Sequence, residues 1–467
     1  MRRAKGSVSR RDWAGRKPAL ARGRCAIGAL VLGVLCLASA CQPNGAADAK
    51  IAYDRGNVLL DQGKTEEAIA LFRRAIRLKP DFADAYYELG SALGMQGKWQ
   101  EAIVELRQAI RFKPDDDEAH YNLGYGLLRQ GDLDASIGEL RTTIRLNPNY
   151  ANAYVSLGMA LESKKRHDEA IAAYRQALRL APEDATARTS LAVALVRLGK
   201  HEEAIGELRT AIRLEPGNAE IHYNLGNTLD RIRRLEEAID EFRTAIRLKP
   251  GHAAAHHGLG ASLADQGKLE AAVAEFREAI RLRPDYGVSH HGLGVALRQL
   301  GQREEAIGEL RTAIRLQPDL GEAHSGLALA LLFNSPTSKG ATDEALVYAR
   351  RAVELEKTAS TYDGLAMAEY RAGHPAEALA AVERSMALND RHPFTWFLLA
   401  LASGQGGEKD RARNWFDKAV AWTRANDPKN LELRQLWAEA AERLGLPGPP
   451  PSGADPAPPA SPAARGR

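Results

Sequence analysis

Five histidines recur along the chain at one spacing, and histidine is a common metal ligand. They lie 34 residues or a multiple of 34 apart, at His120, His222, His256, His290 and His324. Zinc holds its ligands at about 2 Å, whereas packed helices lie about 8–10 Å apart, so a pair of these histidines would have to bridge neighbouring helices. We find no acidic or cysteine position that recurs with them. The pattern therefore predicts packing residues, with no metal and no cofactor.

Two columns of arginine follow the same spacing. The first column is Arg73, Arg107, Arg141, Arg175, Arg209, Arg243, Arg277 and Arg311, and the second lies four residues later, from Arg77 to Arg315. Cations near the end of a helix suit its dipole, and nearby glutamates dilute the positive field. We interpret the columns as a solvated face. The alternative is a ladder for an anionic polymer, which requires salt-dependent binding that is lost when the second column becomes glutamine.

A helical repeat must position these residues. EEAIGELRTAIRLEP (202–216) returns almost unchanged as EEAIGELRTAIRLQP (304–318). Prolines fall every 34 residues, at Pro80, Pro114, Pro148, Pro182, Pro216, Pro250, Pro284 and Pro318. A fixed period of this length indicates stacked structural repeats rather than a duplicated active site.

One repeat, residues 83–116, reads as two antiparallel helices. Leu89 and Leu93 share a face of the first helix, and Gly97 suits the turn that ends it. Ala102 and Ile103 begin the apolar stripe of the second helix, which ends before Pro114 because proline lacks an N–H group. Gly90, Ala102 and Ala109 are small, and we expect them to let the two helices approach closely.

This pattern resembles the tetratricopeptide repeat (TPR). The matching residues in that repeat are Tyr86, Leu89, Gly90, Leu93, Ala102, Leu106, Ala109 and Pro114, at repeat positions 4, 7, 8, 11, 20, 24, 27 and 32. The resemblance implies an all-α fold, a right-handed superhelical solenoid of stacked antiparallel helix pairs. We expect eight regular repeats over 49–320, three divergent ones over 321–427, a capping helix over 428–445 and a disordered proline-rich tail over 446–467.

The resemblance also implies that repeat positions 5, 9, 12 and 13 line a concave groove that binds a peptide or a partner protein. The candidate groove residues are Tyr53, Asn57, Tyr87, Tyr121, Tyr125, Arg129, Met159, Arg197, Tyr223, Asn227 and Arg231. Tyrosine offers a large contact area with a polar tip, and asparagine can bond the backbone of an extended peptide. The lysine–asparagine clamp with which some TPR proteins hold a carboxylate is not found at these positions.

The N-terminal residues resemble an export signal. Residues 1–40 hold nine Lys or Arg and include the uncharged run CAIGALVLGVLCLA at 25–38, which is shorter than the roughly 20 residues that span a bilayer. LASAC resembles the lipobox of bacterial lipoproteins, although Ala38 stands where leucine is preferred. We expect a signal peptide over 1–40, a linker over 41–48, and lipidation of Cys41, which Gln42 would direct to the outer membrane. A soluble periplasmic or secreted form is the alternative.

The remaining charges give no reason to expect nucleic-acid binding, since 55 basic residues face 59 acidic ones after residue 40. We expect no enzyme, because the repeats leave no room for a catalytic domain. The interpretation is a binding scaffold in the cell envelope, with self-association possible. Its alternative is a TPR-bearing accessory or subunit of a glycosyltransferase or of an envelope-assembly enzyme complex.

Overall fold

The computed structural model describes residues 45–333, 339–388, 393–428 and 430–450. These residues form 23 α-helices, and no strand occurs among them. The helices are α1 Gly45–Asp61, α2 Thr65–Leu78, α3 Ala83–Met95, α4 Trp99–Phe112, α5 Asp117–Gln130, α6 Leu133–Leu146, α7 Ala151–Ser163, α8 His167–Leu180, α9 Ala185–Arg197, α10 His201–Leu214, α11 Ala219–Arg231, α12 Leu235–Leu248, α13 Ala253–Asp265, α14 Leu269–Leu282, α15 Gly287–Gln299, α16 Arg303–Leu316, α17 Gly321–Leu332, α18 Lys339–Leu355, α19 Ala359–Ala372, α20 Pro375–Leu388, α21 Pro393–Gln405, α22 Lys409–Asn426 and α23 Leu431–Leu444.

The chain divides into two compact units, the first ending at Pro216 and the second beginning at Gly217. The N-terminal unit contains α1–α10 and the C-terminal unit contains α11–α23. In each unit the odd-numbered helices up to α21 are the first helices of the repeats, and each packs against the second helix that follows it. The predicted alternation of first and second helices through α22 is confirmed.

The turn inside each repeat is fixed by one backbone conformation. Glycine at repeat position 15 has a positive φ, as at Gly97 (76°) and Gly199 (73°). Two repeats place other residues there, and Lys165 and Arg233 still take φ of 62° and 63°. The left-handed turn is therefore imposed by the packing of the two helices, because these side chains would otherwise avoid it.

Close approach of the two helices depends on glycine at repeat position 8. A Cβ built on Gly158 would lie 2.5 Å from the ring of Tyr174, and one on Gly90 would lie 2.7 Å from Cγ of Leu106. Repeat position 24 thus packs directly on the backbone of the first helix. The sequence predicted this role for the small residues.

Three predicted boundaries concern the ends of the chain. The signal over 1–40 and Cys41 lie outside the described residues. Helix α1 already begins at Gly45, so the last four residues of the expected linker are helical. Residues 446–450, expected to be disordered, contact α23: Trp437 donates its indole N–H to the carbonyl of Pro447 at 3.1 Å. The rest of the tail, from residue 451, lies outside the described residues.

Helix α23, predicted to cap the last repeat, reaches beyond that repeat. It packs on α21 and α22, but its side chains also reach α15 and α19, the first helices of repeats 8 and 10. It therefore lies along the first helices of the C-terminal unit, instead of continuing the stack.

Candidate binding surface

The first helices of each unit form a common face. Within the N-terminal unit, each first helix contacts the next one, from α1 through α3, α5 and α7 to α9. The same holds in the C-terminal unit for the odd-numbered helices from α11 to α21. Within each unit, a second helix packs between its own first helix and the next first helix of that unit. We call the side of a unit on which its first helices meet the inner face. It is the surface on which the candidate groove residues were expected.

The tyrosines at repeat position 5 serve mainly to pack the repeat. The ring of Tyr121 lies 4.8 Å from the ring of Tyr150, at the last position of the same repeat, and Tyr53 lies 5.0 Å from Phe82 in the same way. The ring of Tyr223 likewise lies 5.0 Å from the ring of His252, the last residue of its repeat. These ring pairs fill the space between a first helix and the connection to the next repeat.

The expectation that Tyr121 and Tyr125 present open rings to a partner is wrong. Their exposed fractions are 3% and 4%. Tyr125 packs edge-on against Trp99, with ring centroids 6.0 Å apart. Truncating either ring would damage the repeat, so neither residue can report on binding alone.

Other candidate residues retain partly exposed side chains. Tyr53, Asn57, Tyr87, Met159, Tyr223 and Asn227 are half-buried on first helices. The carboxamides of Asn57 and Asn227 bond the tyrosine hydroxyls one turn earlier, at Tyr53 and Tyr223. These asparagines therefore orient the tyrosines, and part of their hydrogen-bonding capacity is already used within the repeat.

The three candidate arginines are exposed near the ends of their helices. The guanidinium of Arg129 lies 5.0 Å from the ring centroid of Trp99 and donates to the Tyr125 hydroxyl at 3.2 Å. Arg197 donates from Nε to Glu162 at 2.8 Å. Arg231 ends α11 in the C-terminal unit.

Sequence reasoning missed a polar group on α3 and α5 of the N-terminal unit. Asn122 donates its amide to the Ser91 hydroxyl at 2.9 Å, which ties the two first helices together inside the protein. Tyr87 donates its hydroxyl to Glu118 at 3.1 Å. Repeat 6 carries the same residues as Glu118 and Asn122 at the equivalent positions, Glu220 and Asn224, but most repeats carry others there, so the 34-residue period gave little signal for this group.

Glu88 on α3 interacts electrostatically with Tyr87 and Glu118 of this polar group. Burial, together with the negative charges of Glu118, Asp84 and Asp61, raises the pKa of Glu88 to about 7. Ionised Glu88 is therefore poorly stabilised by its present surroundings. A cation brought to this part of the inner face would favour the ionised carboxylate.

Four of the five recurrent histidines have acidic partners, which corrects the expectation that none recurs with them. Nδ1 of His120 lies 2.6 Å from the carboxylate of Glu139 on the second helix, and Nε2 lies 2.9 Å from the carbonyl of Pro114. The same carboxylate contact joins His222 to Glu241, His256 to Glu275 and His290 to Glu309.

The histidine position has a structural role, because arginine can fill it. In repeat 5, Arg188 donates to Glu207 at 2.6 Å and to the carbonyl of Pro182 at 2.9 Å. These are the two acceptors that histidine has elsewhere. Within the described residues, no group of three or more His, Cys, Asp or Glu side chains is arranged to hold a metal ion.

The first arginine column links successive repeats. Arg73 contacts Glu101 of the next repeat at 3.3 Å, and Arg277 contacts Glu305 at 2.6 Å. The second column is more local: Arg281 contacts Glu278 one turn earlier at 2.6 Å. Exposed ion pairs of this kind contribute about 0–1 kcal/mol each to the stability of the fold. Because their side chains are exposed and paired with glutamates, we interpret both columns as a solvated outer face.

No helix among the described residues is both long and apolar enough to cross a bilayer.

Comparison with known families gives matches along most of the chain. Residues 29–259 match the C-terminal domain of cilia and flagella-associated protein 70. Residues 262–301 and 294–333 match a TPR repeat family, and residues 364–430 match a tetratricopeptide repeat family. No curated protein matches the chain.

Solved structures of repeat proteins are similar to parts of the chain. YrrB, described as a TPR protein with an unusual peptide-binding site, is 25% identical over 40% of this chain and 96% of its own, with a TM-score of 0.35. MamA from Desulfovibrio magneticus RS-1 is 25% identical over 36% of this chain and 96% of its own, with a TM-score of 0.35. A tetratricopeptide repeat protein from Parabacteroides merdae ATCC 43184 is 16% identical over 54% of this chain and 99% of its own, with a TM-score of 0.45.

Proposed function

The chain is a tetratricopeptide repeat protein, and we propose that it acts as a non-catalytic scaffold that binds a peptide or a partner protein on its inner face. One observation carries the proposal: the chain already holds a polypeptide there. Helix α23 lies on α21 and contacts α15 and α19, all of them first helices of the C-terminal unit. The inner face is thus a surface that accepts a helix.

For the N-terminal unit we propose a partner segment that carries lysine or arginine. The support is the polar group around Glu88, whose pKa is raised to about 7 by burial and by neighbouring carboxylates. A partner ammonium or guanidinium within hydrogen-bond distance would stabilise the ionised form and gain a charge-assisted bond. Tyr87 and Asn57, both half-buried on neighbouring first helices, would supply the adjoining contact area.

Site-specific photocrosslinking tests this assignment. A benzoylphenylalanine in place of Tyr87 places the reactive group on the inner face, whereas the same residue in place of Val104 places it on the exposed surface of second helix α4. We expect a defined crosslinked partner from position 87 only, and its loss when Glu88→Gln is added. Equal crosslinking from position 104 would contradict an inner-face site.

A matched control separates charge from position. Glu66→Gln and Glu67→Gln remove carboxylates from the first turn of second helix α2, where both side chains are exposed. We expect the partner to survive these changes. Its loss from both sets of variants would indicate a general electrostatic attraction instead of a site.

We also propose that the protein is exported and tethered to the outer membrane by a lipid on Cys41. The sequence around Cys41 is the support for this, and a soluble exported protein is the alternative. Labelling cells with an alkyne fatty acid tests it: the wild-type chain should incorporate the label and Cys41→Ser should not. A wild-type chain that stays unlabelled would favour the soluble form.

A second candidate function is that of an accessory subunit in a glycosyltransferase or envelope-assembly enzyme complex. The crosslinking experiment distinguishes it, because the partner captured from position 87 would then be an enzyme of such a complex. A partner without enzymatic activity would favour the plain scaffold.

A further inference from the structure

Helix α23 does not occupy the place of a next first helix. Such a helix would contact only the last repeat, as each regular repeat does with its neighbour. Instead, the first turn of α23 lies at repeat 8, where Leu431 is 3.1 Å from a Cβ built on Gly301. Its last turn lies at repeat 11, where Leu444 is 3.1 Å from a Cβ built on Gly404. The helix crosses the inner face from repeat 8 to repeat 11.

Two acidic residues attach α23 to this face. Glu432 pairs with Arg298 of α15, and the two side chains are only 8% and 9% exposed. Glu439 accepts two bonds from Arg371 of α19, at 2.6 and 2.7 Å, and one from the Tyr370 hydroxyl at 2.8 Å. Residues seven apart lie on one side of a helix, so both carboxylates face the groove.

An apolar stripe runs beside the two carboxylates. Leu433, Leu436, Trp437 and Ala440 are all buried, and Leu436 and Trp437 are only 1% and 2% exposed. They share one core with residues of α17, α19 and α21. Helix α23 therefore has the features of an amphipathic helix bound in a groove, because its apolar side chains are buried and its charged side chains lie beside them.

The first helices beneath α23 require a cover. Every residue from Leu327 to Leu332 on α17 is buried, and so is every residue from Phe394 to Ala402 on α21. A helix that is apolar on all sides is stable only when it is covered on all sides. If α23 moved away, the exposed surface would attract another amphipathic helix.

Several features limit how strongly α23 is held. Taking both charges of Glu432 and Arg298 out of water offsets much of their attraction, so such a pair favours one register more than it adds stability. A helix of 14 residues is marginal by itself and depends on the groove. Compared with a helix of another molecule, α23 is favoured by its short connection from Asn426 to Leu431. This connection keeps α23 at an effective concentration of order mM near the groove.

We propose that the inner face of repeats 8–11 is a helix-binding site and that α23 is its displaceable resident. The partner is an amphipathic helix with the pattern of α23: acidic residues seven apart, and apolar residues at the first, fourth, fifth and eighth positions after the first acid. This inference rests on the proposed scaffold function but uses a different unit from the crosslinking test at position 87. A negative result at one unit therefore leaves the other open.

A labelled peptide of residues 428–446 serves as the probe, and the full chain as the receptor. Wild-type protein should bind it weakly, because α23 competes from within the chain. Glu432→Gln with Glu439→Gln weakens α23 and leaves the groove unchanged, so we expect at least tenfold tighter binding. Adding Arg298→Gln and Arg371→Gln should abolish that gain. Circular dichroism checks that each variant is folded.

Hydrogen exchange of the wild-type chain gives a second readout that needs no variant. Saturating unlabelled peptide should remove protection from the amides of α23 while those of α19 and α21 stay protected. Unchanged protection of α23, or equal peptide binding by wild-type and weakened chains, would overturn the proposal. A doubled mass of the weakened chain in light scattering would also overturn it, in favour of α23 exchange between two copies.

Discussion

Nδ1 of His120 lies 2.6 Å from a carboxylate oxygen of Glu139, and the opposite ring nitrogen lies 2.9 Å from the carbonyl of Pro114. Both neighbours only accept hydrogen bonds, so the doubly protonated ring satisfies both contacts. The bond to Glu139 accordingly raises the pKa of His120, and the bond to Glu309 raises that of His290. His120 and His290 thus link the first and second helices of their repeats with a strength that depends on pH.

We predict that Glu139→Gln and Glu309→Gln destabilise the protein more at pH 5.5 than at pH 9. A histidine whose pKa is raised on folding stabilises fully below its unfolded pKa of about 6.5, and this stabilisation is lost as the pH rises through the folded pKa. The loss should be about 1–2 kcal/mol at pH 5.5 and smaller at pH 9. Urea unfolding followed by circular dichroism at both pH values measures it.

The chain provides a matched control in repeat 5. Glu207→Gln removes the same kind of contact from Arg188, which stays charged throughout this pH range. Its effect should be equal at the two pH values. If Glu139→Gln behaved as Glu207→Gln does, charge on the histidine would not contribute.

A second prediction separates the contribution of a buried tyrosine ring from that of a tyrosine hydroxyl. Tyr121→Ala should lower the free energy of unfolding by about 3 kcal/mol, because it empties a buried site against Tyr150. Tyr87→Phe removes only a hydroxyl from a bond with exposed Glu118 and should cost less than about 1 kcal/mol. Thermal unfolding of the two variants measures this. Similar losses would show that the bond between Tyr87 and Glu118 contributes as much as the packed ring of Tyr121.

The sequence predicted the parts of the fold that recur in every repeat. Three of these parts are the alternating helices, the turn at Gly97 and the contact of Gly90 with Leu106. Because each recurs from repeat to repeat, the sequence specifies it several times. The histidine pairs could have been predicted as well. Glutamate recurs 19 residues after the histidines at 120, 222, 256 and 290, and also after Arg188.

Other features could not be predicted because they occur once or depend on distant neighbours. The burial of Tyr121 depends on Tyr150, and the last position of a repeat varies among aromatic, acidic, amide and aliphatic residues. The position of α23 depends on contacts with Arg298 and Arg371, which are far away in the sequence. The one available sign was the all-round apolar character of α17 and α21.

A third prediction concerns Asp363 on α19. Burial raises the pKa of this carboxyl to about 7, and Thr395 donates to it at 3.0 Å. Between an unfolded pKa of about 3.9 and about 7, the folded chain binds more protons than the unfolded chain, so stability falls as the pH rises through this window. Asp363→Asn should therefore stabilise the protein by about 1–3 kcal/mol at pH 8 and have little effect at pH 5.

Urea unfolding at the two pH values tests this, with Asp343→Asn as the control. Asp343 is exposed on α18, so its replacement should change stability little at either pH. A destabilising effect of Asp363→Asn at pH 8 would mean that the ionised carboxylate is favoured in the folded protein.

The last prediction uses two glycines of opposite character. A Cβ on Gly158 would lie 2.5 Å from the ring of Tyr174, whereas one on Gly206 would meet nothing within 4 Å. Gly158→Ala should cost about 1–3 kcal/mol, because the rigid ring must shift within a closed repeat. Gly206→Ala, within helix α10, should stabilise by about 0.5–1 kcal/mol through helix propensity alone. Parallel urea titrations measure both changes. A stabilising effect of Gly158→Ala would mean that the helices of repeat 4 can separate freely, which would contradict the role of position 8 in setting their distance.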